Sequence, residues 1–455
     1  MKPKIFNTTI PATACVLLFA LNLLSCKKYL ALDVPPTAIG REEAFADSAT
    51  ATSVVLGIYS RMASEAPSTY NRTIFYSGMS SDEFYYFTNP NYDDIKNNTL
   101  TAGNNVTNFW QDLYARIGVA NYAIEGVTAS SLSGTLKNQL LGEARFWRAW
   151  LYFHLVNNWG AVPLVTSTDA LTTSRYSRSP VSEVFKQIVA DLTEAKSRLS
   201  VNYPSPERAR INRHAASAFL ARVYLYEKNW AAAEAEANTV IQSGTYSIVT
   251  NLNNVFLNTS SETILQLSLA APTTPATALG IEFIPATATP NVVLLDTLAR
   301  TFEPDDQRKV NWTKQIVFSG KTYSYPFKYK VRATTTGNEY PVVLRLAEVY
   351  LTRAEARANQ DNITGAQDDL NIVRKRAGLG NTTAVDKTGM IAALEHERWV
   401  ELFSEGDRWF NLKRLGIADA VLKLVKPKWK PHQQLYPLPM LDMTANPALT
   451  DNPGY

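Results

Sequence analysis

The chain has 455 residues, of which 45% are hydrophobic and 19% are charged. This composition is typical of a globular protein, and the length suits one large domain or two ordinary ones. The formal net charge is +4, and +2 without Lys2 and Lys4 of the leader described next, so nothing in the charge balance favours nucleic-acid binding.

The first 25 residues have the features of a lipoprotein signal peptide. Lys2 and Lys4 form a basic start, and the apolar run over 12–24 is too short to span a bilayer. The run ends in Leu-Leu-Ser-Cys, similar to a bacterial lipobox, so we expect cleavage before Cys26 and lipidation of its thiol. An ordinary secretory signal with an incidental cysteine is the alternative. The only other cysteine is Cys15, so the mature chain has no thiol for a disulfide or a Cys-ligated metal.

Apolar residues recur with helical spacing along most of the mature chain, which we expect to form a single domain over 26–455. Helices are predicted over 41–62, over 109–126 and from 136 to the stop at Gly160. Ser179 and Pro180 predict the start of another helix, with the serine as N-cap. The segment over about 66–110 is rich in Tyr, Phe and Asn, which predicts mostly loop with at most a short strand or helix.

Two helical hairpins with the same register are predicted over 211–244 and 340–377. Ala221, Trp230 and Ala233 of the first correspond to Ala354, Ile363 and Ala366 of the second. This spacing is typical of tetratricopeptide repeats. The fold class is therefore predicted to be mainly α, with a frame of tetratricopeptide-like hairpins over about 136–246 and 338–416.

The rest of the chain is predicted to be less regular. The segment 247–337 is rich in Thr, Pro, Ala and Asn, with short strand-like runs over 263–269 and 323–331, and predicts a loop-rich insertion. Prolines and glycines punctuate 426–455, which predicts an extended tail over the surface.

Six stretches in order resemble the SusD/RagB family of lipid-anchored glycan-binding subunits of outer-membrane nutrient importers. The sequence reads CKKYL, GEARFWRAWLYFHLVNNWGAVPLV, INRHAASAFLARVYLYEKNW, YPVVLRLAEVYLTRAEA, ERWVELFSEGDRWFNLKRLG and LYPLPMLDMTANPALTDNPGY. The resemblance implies an outer-membrane lipoprotein with a helical frame and a loop-rich ligand side that docks on a SusC-like TonB-dependent transporter. The sequence departs from the family in one respect: Lys27 and Lys28 follow Cys26, where acidic residues often direct surface export.

Charged and histidine residues give no pattern for catalysis or for a metal. Four scattered histidines form no His-x-x-x-His pair, and phosphate-binding and nucleophile motifs are absent from the sequence. Arg398 lies on an apolar stripe within reach of Glu401, Glu405 and Asp407, which predicts structural ion pairs rather than a catalytic dyad. Asp82-Glu83 and Asp93-Asp94 can be calcium ligands, but they lack the spacing of a calcium loop, so solvated turns are preferred.

Aromatic residues outside the helical stripes are the candidate ligand-binding groups. Sugar rings present an apolar face that stacks on Trp or Tyr, while Asn and Arg bind hydroxyls. The alternative for each ring is core packing beneath a loop. The candidate set, with Trp312 as first choice, is Tyr85, Tyr86, Asn89, Tyr92, Trp312, Tyr323 and Arg332.

The preferred function is non-catalytic binding of an oligosaccharide, with no cofactor, no metal and no nucleic-acid partner. A tetratricopeptide scaffold for protein partners is the second hypothesis, and it requires an exposed concave groove. A glycoside hydrolase is the third.

Overall fold

Helices make up most of the described chain. The computed structural model describes residues 40–63, 68–103, 106–268, 276–333 and 338–455. The signal peptide and Cys26 lie outside these ranges, so their predicted processing stays a prediction. The mainly α fold class is confirmed.

The helices are Arg41–Ala44 (α1), Ser48–Ala63 (α2), Thr69–Ser80 (α3), Asp93–Lys96 (α4), Val106–Ala129 (α5), Gly134–Trp159 (α6), Ala170–Thr173 (α7), Val181–Arg198 (α8), Arg213–Tyr226 (α9), Trp230–Ile241 (α10), Ala278–Phe283 (α11), Asp296–Thr301 (α12), Gln307–Trp312 (α13), Leu346–Asn359 (α14), Ile363–Arg376 (α15), Lys387–Leu402 (α16), Arg408–Arg414 (α17), Ala418–Val425 (α18) and Met440–Ala445 (α19). The strands are Phe84–Tyr86 (β1), Thr263–Gln266 (β2), Val292–Leu294 (β3), Thr313–Phe318 (β4), Lys321–Pro326 (β5) and Val342–Arg345 (β6). In the described ranges no helix is both long and apolar enough to cross a membrane.

The two predicted hairpins are confirmed, and their turns are built alike. Helices α9 and α10 meet at Lys228, whose φ is 58°, followed by Asn229, whose side chain caps α10. Helices α14 and α15 meet at Asp361, whose φ is 62°, followed by Asn362, which caps α15. A left-handed residue ends one helix and an asparagine oxygen accepts the N–H of the third residue of the next, so each chain reversal is short.

Helix α6 is the centre of the main hydrophobic cluster. Its residues from Leu140 to Trp159 are almost all buried, as its wide apolar stripe predicts. Helix α8 packs against it but begins differently from the prediction. Pro180 is the N-cap residue, and Ser179 instead forms a backbone bridge with Val162.

Two segments are more ordered than the sequence predicts. The segment predicted as loop over 66–110 contains α3, a buried helix that Ser68 caps through its side chain. The C-terminal tail is mostly extended, but Tyr436 and Leu438 are buried in the main core instead of lying on the surface. The prediction erred because polar residues of α3 are buried by neighbouring helices, so no amphipathic pattern marks it.

The strands form three separate two-stranded antiparallel sheets. Strand β1 pairs with β3, β2 with β6, and β4 with β5. Four of the six strands lie in the predicted loop-rich insertion, together with α11, α12 and α13. The β1–β3 and β4–β5 pairs stand beside each other and build the surface described next.

Candidate functional site

Strand β1 presents one aromatic face to the outside and one to the core. Phe84 and Tyr86 are buried, whereas Tyr85 between them is 39% exposed. This alternation follows from the pleat of a strand, in which successive side chains point to opposite faces. Phe87 continues the ladder by donating its N–H to the Asn291 oxygen at 2.8 Å, and so returns to the face of Tyr85.

The β4–β5 hairpin brings a third ring to this face. Its turn, Ser319-Gly320, has φ values of 49° and 75°, which suit the tight two-residue connection of a twisted hairpin. The Tyr323 ring lies 5.3 Å from the Phe87 ring, and the Tyr85 ring lies 4.8 Å from Phe87 on the other side. Phe87 therefore joins the two sheets edge-to-face.

A groove of about 400 Å³ opens between these rings. Strand β3, the start of α12 with the polar side chains of Asp296 and Thr297, and Val425 also line it. This volume lies within the range of small-ligand sites, which combine apolar walls with a few polar groups.

Two lysines lie over the tyrosine rings of the groove. The Lys96 Nζ is 4.5 Å from the Tyr85 ring centroid, and the Lys321 Nζ is 4.7 Å from that of Tyr323. Lys321 also pairs with Asp296 at 3.1 Å, in an ion pair about half exposed to solvent. The ammonium groups hold the rings in place through cation–π attraction, and Asp296 and Lys321 offer hydrogen-bonding groups at the rim.

Two family models match the chain. Residues 32–225 match a model described as starch-binding associating with outer membrane, and residues 297–455 match the model of the SusD family. The chain belongs to the SusD family. The resemblance predicted from its six sequence stretches is therefore confirmed.

Known relatives and solved structures of the SusD family align over nearly the full chain. SusD-like protein P25 of Formosa agariphila is 24% identical, and the alignment covers 95% of this chain and 97% of that protein. A SusD superfamily protein from Bacteroides vulgatus superposes with a TM-score of 0.80 at 20% identity, over 90% of this chain and 99% of the other. A laminarin-binding SusD-like protein superposes with a TM-score of 0.78 at 22% identity, over 90% and 100%. These structures show that this chain has the SusD fold.

The structure brings two of the candidate residues of this SusD-family protein together in the groove, Tyr85 and Tyr323. Tyr86 faces the core, where its hydroxyl donates to Glu282 at 2.7 Å, and burial raises its pKa. Tyr92 packs behind it, with a ring separation of 4.8 Å. The prediction that Tyr86 contacts ligand is therefore wrong, because the strand turns it inward.

Asn89 and Arg332 also lie outside the groove lining. The Asn89 side chain accepts the N–H of Asn91 and caps the short 3-10 turn Pro90–Tyr92. The Arg332 guanidinium donates from Nε to the Ile284 oxygen at 3.1 Å. Both side chains have local structural partners.

Trp312, the first choice from sequence, is a core residue. Its side chain is 0% exposed, and its indole N–H donates to the Leu252 oxygen at 2.9 Å. The Nζ of Lys328 lies 4.7 Å from its ring centroid, and the guanidinium of Arg376 lies 5.1 Å away. No ring face is left for a sugar, so this prediction is wrong and the alternative of core packing holds for Trp312.

The sequence prediction missed Phe87, Lys321 and Asp296 as groove residues. Phe87 had a usable signal, since a residue two positions from an outward Tyr85 shares its face on a strand. No sequence signal marked Lys321 and Asp296 as groove residues, because their position at the groove depends on how the two sheets pack.

The charged cluster around α16 is a buried ion-pair network. Arg345 pairs with Glu401 at 2.5 Å and with Glu405 at 2.7 Å, and all three side chains are at most 13% exposed. Arg398 pairs with Asp407 at 2.6 Å rather than with either glutamate. The predicted structural ion pairing is confirmed, with different partners for Glu401 and Glu405.

The acidic pairs considered for calcium have separate surroundings. Asp82 is buried and accepts from both the Nε and one terminal nitrogen of Arg408, at 2.8 and 2.9 Å. Asp93 pairs with Lys96 at 2.6 Å. The expectation of solvated turns is wrong for Asp82 and Glu83, which are 1% and 0% exposed. Over the described ranges no three His, Cys, Asp or Glu residues converge as a metal site would require.

Proposed function

We propose that this SusD-family protein is a non-catalytic glycan-binding lipoprotein of the outer membrane, anchored through Cys26, that captures an oligosaccharide for a SusC-like TonB-dependent transporter. The observation that carries the proposal is the groove in which Tyr85, Phe87 and Tyr323 meet outside the helical frame. The match to a starch-binding family model and the similarity to a laminarin-binding SusD-like protein support the ligand class.

The groove suits weak, reversible sugar binding. A sugar ring that stacks on one tyrosine buries apolar area worth ~1–2 kcal/mol at about 25 cal/mol per Å². Hydrogen bonds from sugar hydroxyls to Asp296 and Thr297 add little net free energy, because water competes for both partners. Two or three rings therefore give micromolar to millimolar affinity, which suits a protein that must release its ligand.

The packing of the hairpins weighs against the scaffold hypothesis. A scaffold needs helix faces that are open to a partner, whereas α14 is buried on nearly every side, from Leu346 through Ala358. Helix α9 is likewise buried from His214 through Leu225, except for half-buried Arg222 and Tyr224. The first helix of each hairpin therefore has little surface left for a protein partner.

Removing the groove tyrosines is expected to weaken glycan binding. Tyr85→Ala and Tyr323→Ala should each reduce affinity about tenfold, because each removes one stacking surface worth about 1.4 kcal/mol. Affinity would be measured by isothermal titration calorimetry with laminarin and starch oligosaccharides. Tyr176→Ala is the matched control, since Tyr176 is a half-buried tyrosine outside the groove and should leave affinity unchanged.

A thermal melt of each variant separates loss of binding from loss of fold. If both groove variants keep wild-type affinity for every glycan that binds, the groove is not the ligand site. Release of reducing sugar during the incubation would instead support the hydrolase hypothesis and contradict a non-catalytic role.

The membrane anchor is tested separately by Cys26→Ala. Without the thiol that carries the lipid, the protein is expected to move from the membrane fraction to the soluble fraction after cell lysis. The wild-type protein, extracted in mild detergent, should co-purify with a TonB-dependent barrel. A Cys26→Ala protein that stays with the membranes of a strain lacking the transporter would contradict the lipid anchor.

A further inference from the structure

Positive charge is concentrated beside the aromatic groove. From Gln307 to Arg332, through α13 and the β4–β5 hairpin, every charged residue is basic. The core uses two of them: Arg308 pairs with buried Asp306, and Lys328 pairs with Glu405. The remaining cations are Lys309, Lys314, Lys321, Lys330 and Arg332.

The register of the hairpin places Lys314 on the same face as the groove tyrosine. Ile316 lies opposite Tyr323, and Lys314 lies opposite Tyr325. Directly paired residues of an antiparallel ladder share a face, and so do residues two apart along a strand. Lys314 is two residues from Ile316 along β4. It therefore lies about 7 Å from the Ile316–Tyr323 pair, whose tyrosine lines the groove.

A second ring beyond Tyr323 carries two ammonium groups. The Lys314 Nζ lies 4.0 Å from the Phe327 ring centroid, and the Lys330 Nζ lies 4.6 Å from it. Phe327 is half-buried, and its ring lies 6.3 Å from Tyr325. Tyr323, Tyr325 and Phe327 thus follow one another at every second position along one strand direction, with Tyr325 buried and the two lysines at the far end.

These two lysines differ from Lys321 in their distance from acidic side chains. In the described ranges no carboxylate lies within ion-pair distance, 4.0 Å, of Lys314 or Lys330, whereas Lys321 at the near end is paired with Asp296. The Lys330 ammonium donates to the oxygens of Asn311 and Phe327, at 2.7 and 3.1 Å. Burial lowers its pKa to about 8, Glu339 opposes this shift, and the charge of Lys314 adds to it. An anion at this point would relieve the repulsion between the two lysines.

We propose that the groove selects acidic glycans, with sugar rings stacked against Tyr85 and Tyr323 and an anionic substituent paired with Lys314 and Lys330. This inference rests on the proposed function and names its substrate class. The shared ligand chemistry is a polysaccharide that carries carboxylate or sulfate ester groups. A neutral glycan supplies no negative charge to the two ammonium groups, so it gains only the stacking contribution.

The test compares pairs of glycans that share a backbone and differ in whether they carry an anionic group. Calorimetry at low ionic strength would use oligogalacturonate against its methyl ester for carboxylate, and sulfated laminarin against laminarin for sulfate. One anionic member is expected to bind about tenfold or more tightly than its neutral counterpart, and added salt should reduce the difference through screening. The pair that shows the difference identifies the anionic group.

The variant Lys314→Gln/Lys330→Gln should abolish that preference and leave binding of the neutral member unchanged. Lys186→Gln/Lys375→Gln is the matched control, because it removes the same charge from two exposed lysines on helices α8 and α15. Equal binding of both members of each pair, or a preference that survives in Lys314→Gln/Lys330→Gln, would overturn the inference.

The groove tyrosines keep this test distinct from that of the proposed function. If Tyr85→Ala and Tyr323→Ala weaken binding while the lysine variant changes nothing, the glycan site stands and its selectivity for acidic ligands is wrong. If the lysine variant weakens anionic binding and the tyrosine variants do not, the groove fails as the stacking site. If no glycan of either pair binds, both ideas are contradicted.

Discussion

Replacing Glu401 with alanine is expected to destabilise the protein by about 3–5 kcal/mol. Glu401 is 0% exposed, and its carboxylate pairs with Arg345 at 2.5 Å, with Arg308 at 2.9 Å and with Arg376. All three guanidinium groups are buried. They keep other carboxylate partners, which are Asp306 and Glu397 for Arg308, Glu262 and Glu405 for Arg345, and Glu262 for Arg376, but the buried network loses the one carboxylate that all three share. The measurement is the free energy of unfolding from urea denaturation followed by far-UV circular dichroism.

Glu194→Ala is the control for this experiment. Glu194 pairs with Arg198 at 2.5 Å on the surface of α8, where both side chains are about one-third exposed. An exposed pair of this kind contributes about 0.3–0.5 kcal/mol. If Glu401→Ala costs no more than Glu194→Ala, the network does not contribute to stability as proposed.

The same network makes stability depend on pH. Burial alone would raise the pKa of Glu401, but Arg376, Arg345 and Arg308 outweigh it and hold the pKa below its usual range. A carboxyl whose folded pKa is depressed contributes stability that is complete above its unfolded pKa of about 4.3 and is lost as the pH falls below it. The stability gap between wild type and Glu401→Gln should therefore be largest near neutral pH and shrink toward pH 3.

The hairpin frame could be predicted from sequence because its signals are local. Asn229 and Asn362 mark the start of the second helix in each pair, and the small residues Ala221 and Ala354 lie on the buried face of the first. The apolar spacing of each helix and its capping residue are separated by only a few positions in the sequence. They can therefore be recognised without knowledge of any distant contact.

The groove could be predicted only in part because it is made by distant segments. That Tyr85 faces outward while Tyr86 faces inward depends on β1 pairing with β3, in which Tyr85 lies opposite Val293. Tyr323 reaches the same surface only because β5 packs beside that pair. Composition shows that the region is aromatic, but the face that each ring occupies is set by strand pairing far along the chain.

Trp312→Ala is expected to destabilise the protein by about 3–5 kcal/mol, the usual cost of truncating a buried aromatic side chain. The indole fills the core between Phe256, 5.7 Å away, and the cations of Lys328, Arg376 and Arg345. Removing it leaves a cavity and leaves the Leu252 oxygen without its hydrogen-bond donor. It also removes the cation–π contacts that the ring makes with the three buried charged groups. Differential scanning calorimetry should show a large fall in the thermal midpoint.

Trp312→Phe is the matched control, because phenylalanine keeps most of the ring volume but cannot donate to Leu252. It should lose only part of the stability that Trp312→Ala loses. Glycan affinity, measured well below the lowered midpoint, should match the wild type, since the buried indole touches no solvent-facing part of the groove. If Trp312→Ala melts like the wild type but binds glycan more weakly, Trp312 belongs to the ligand site after all. A ring that can be removed without loss of stability is not part of the core.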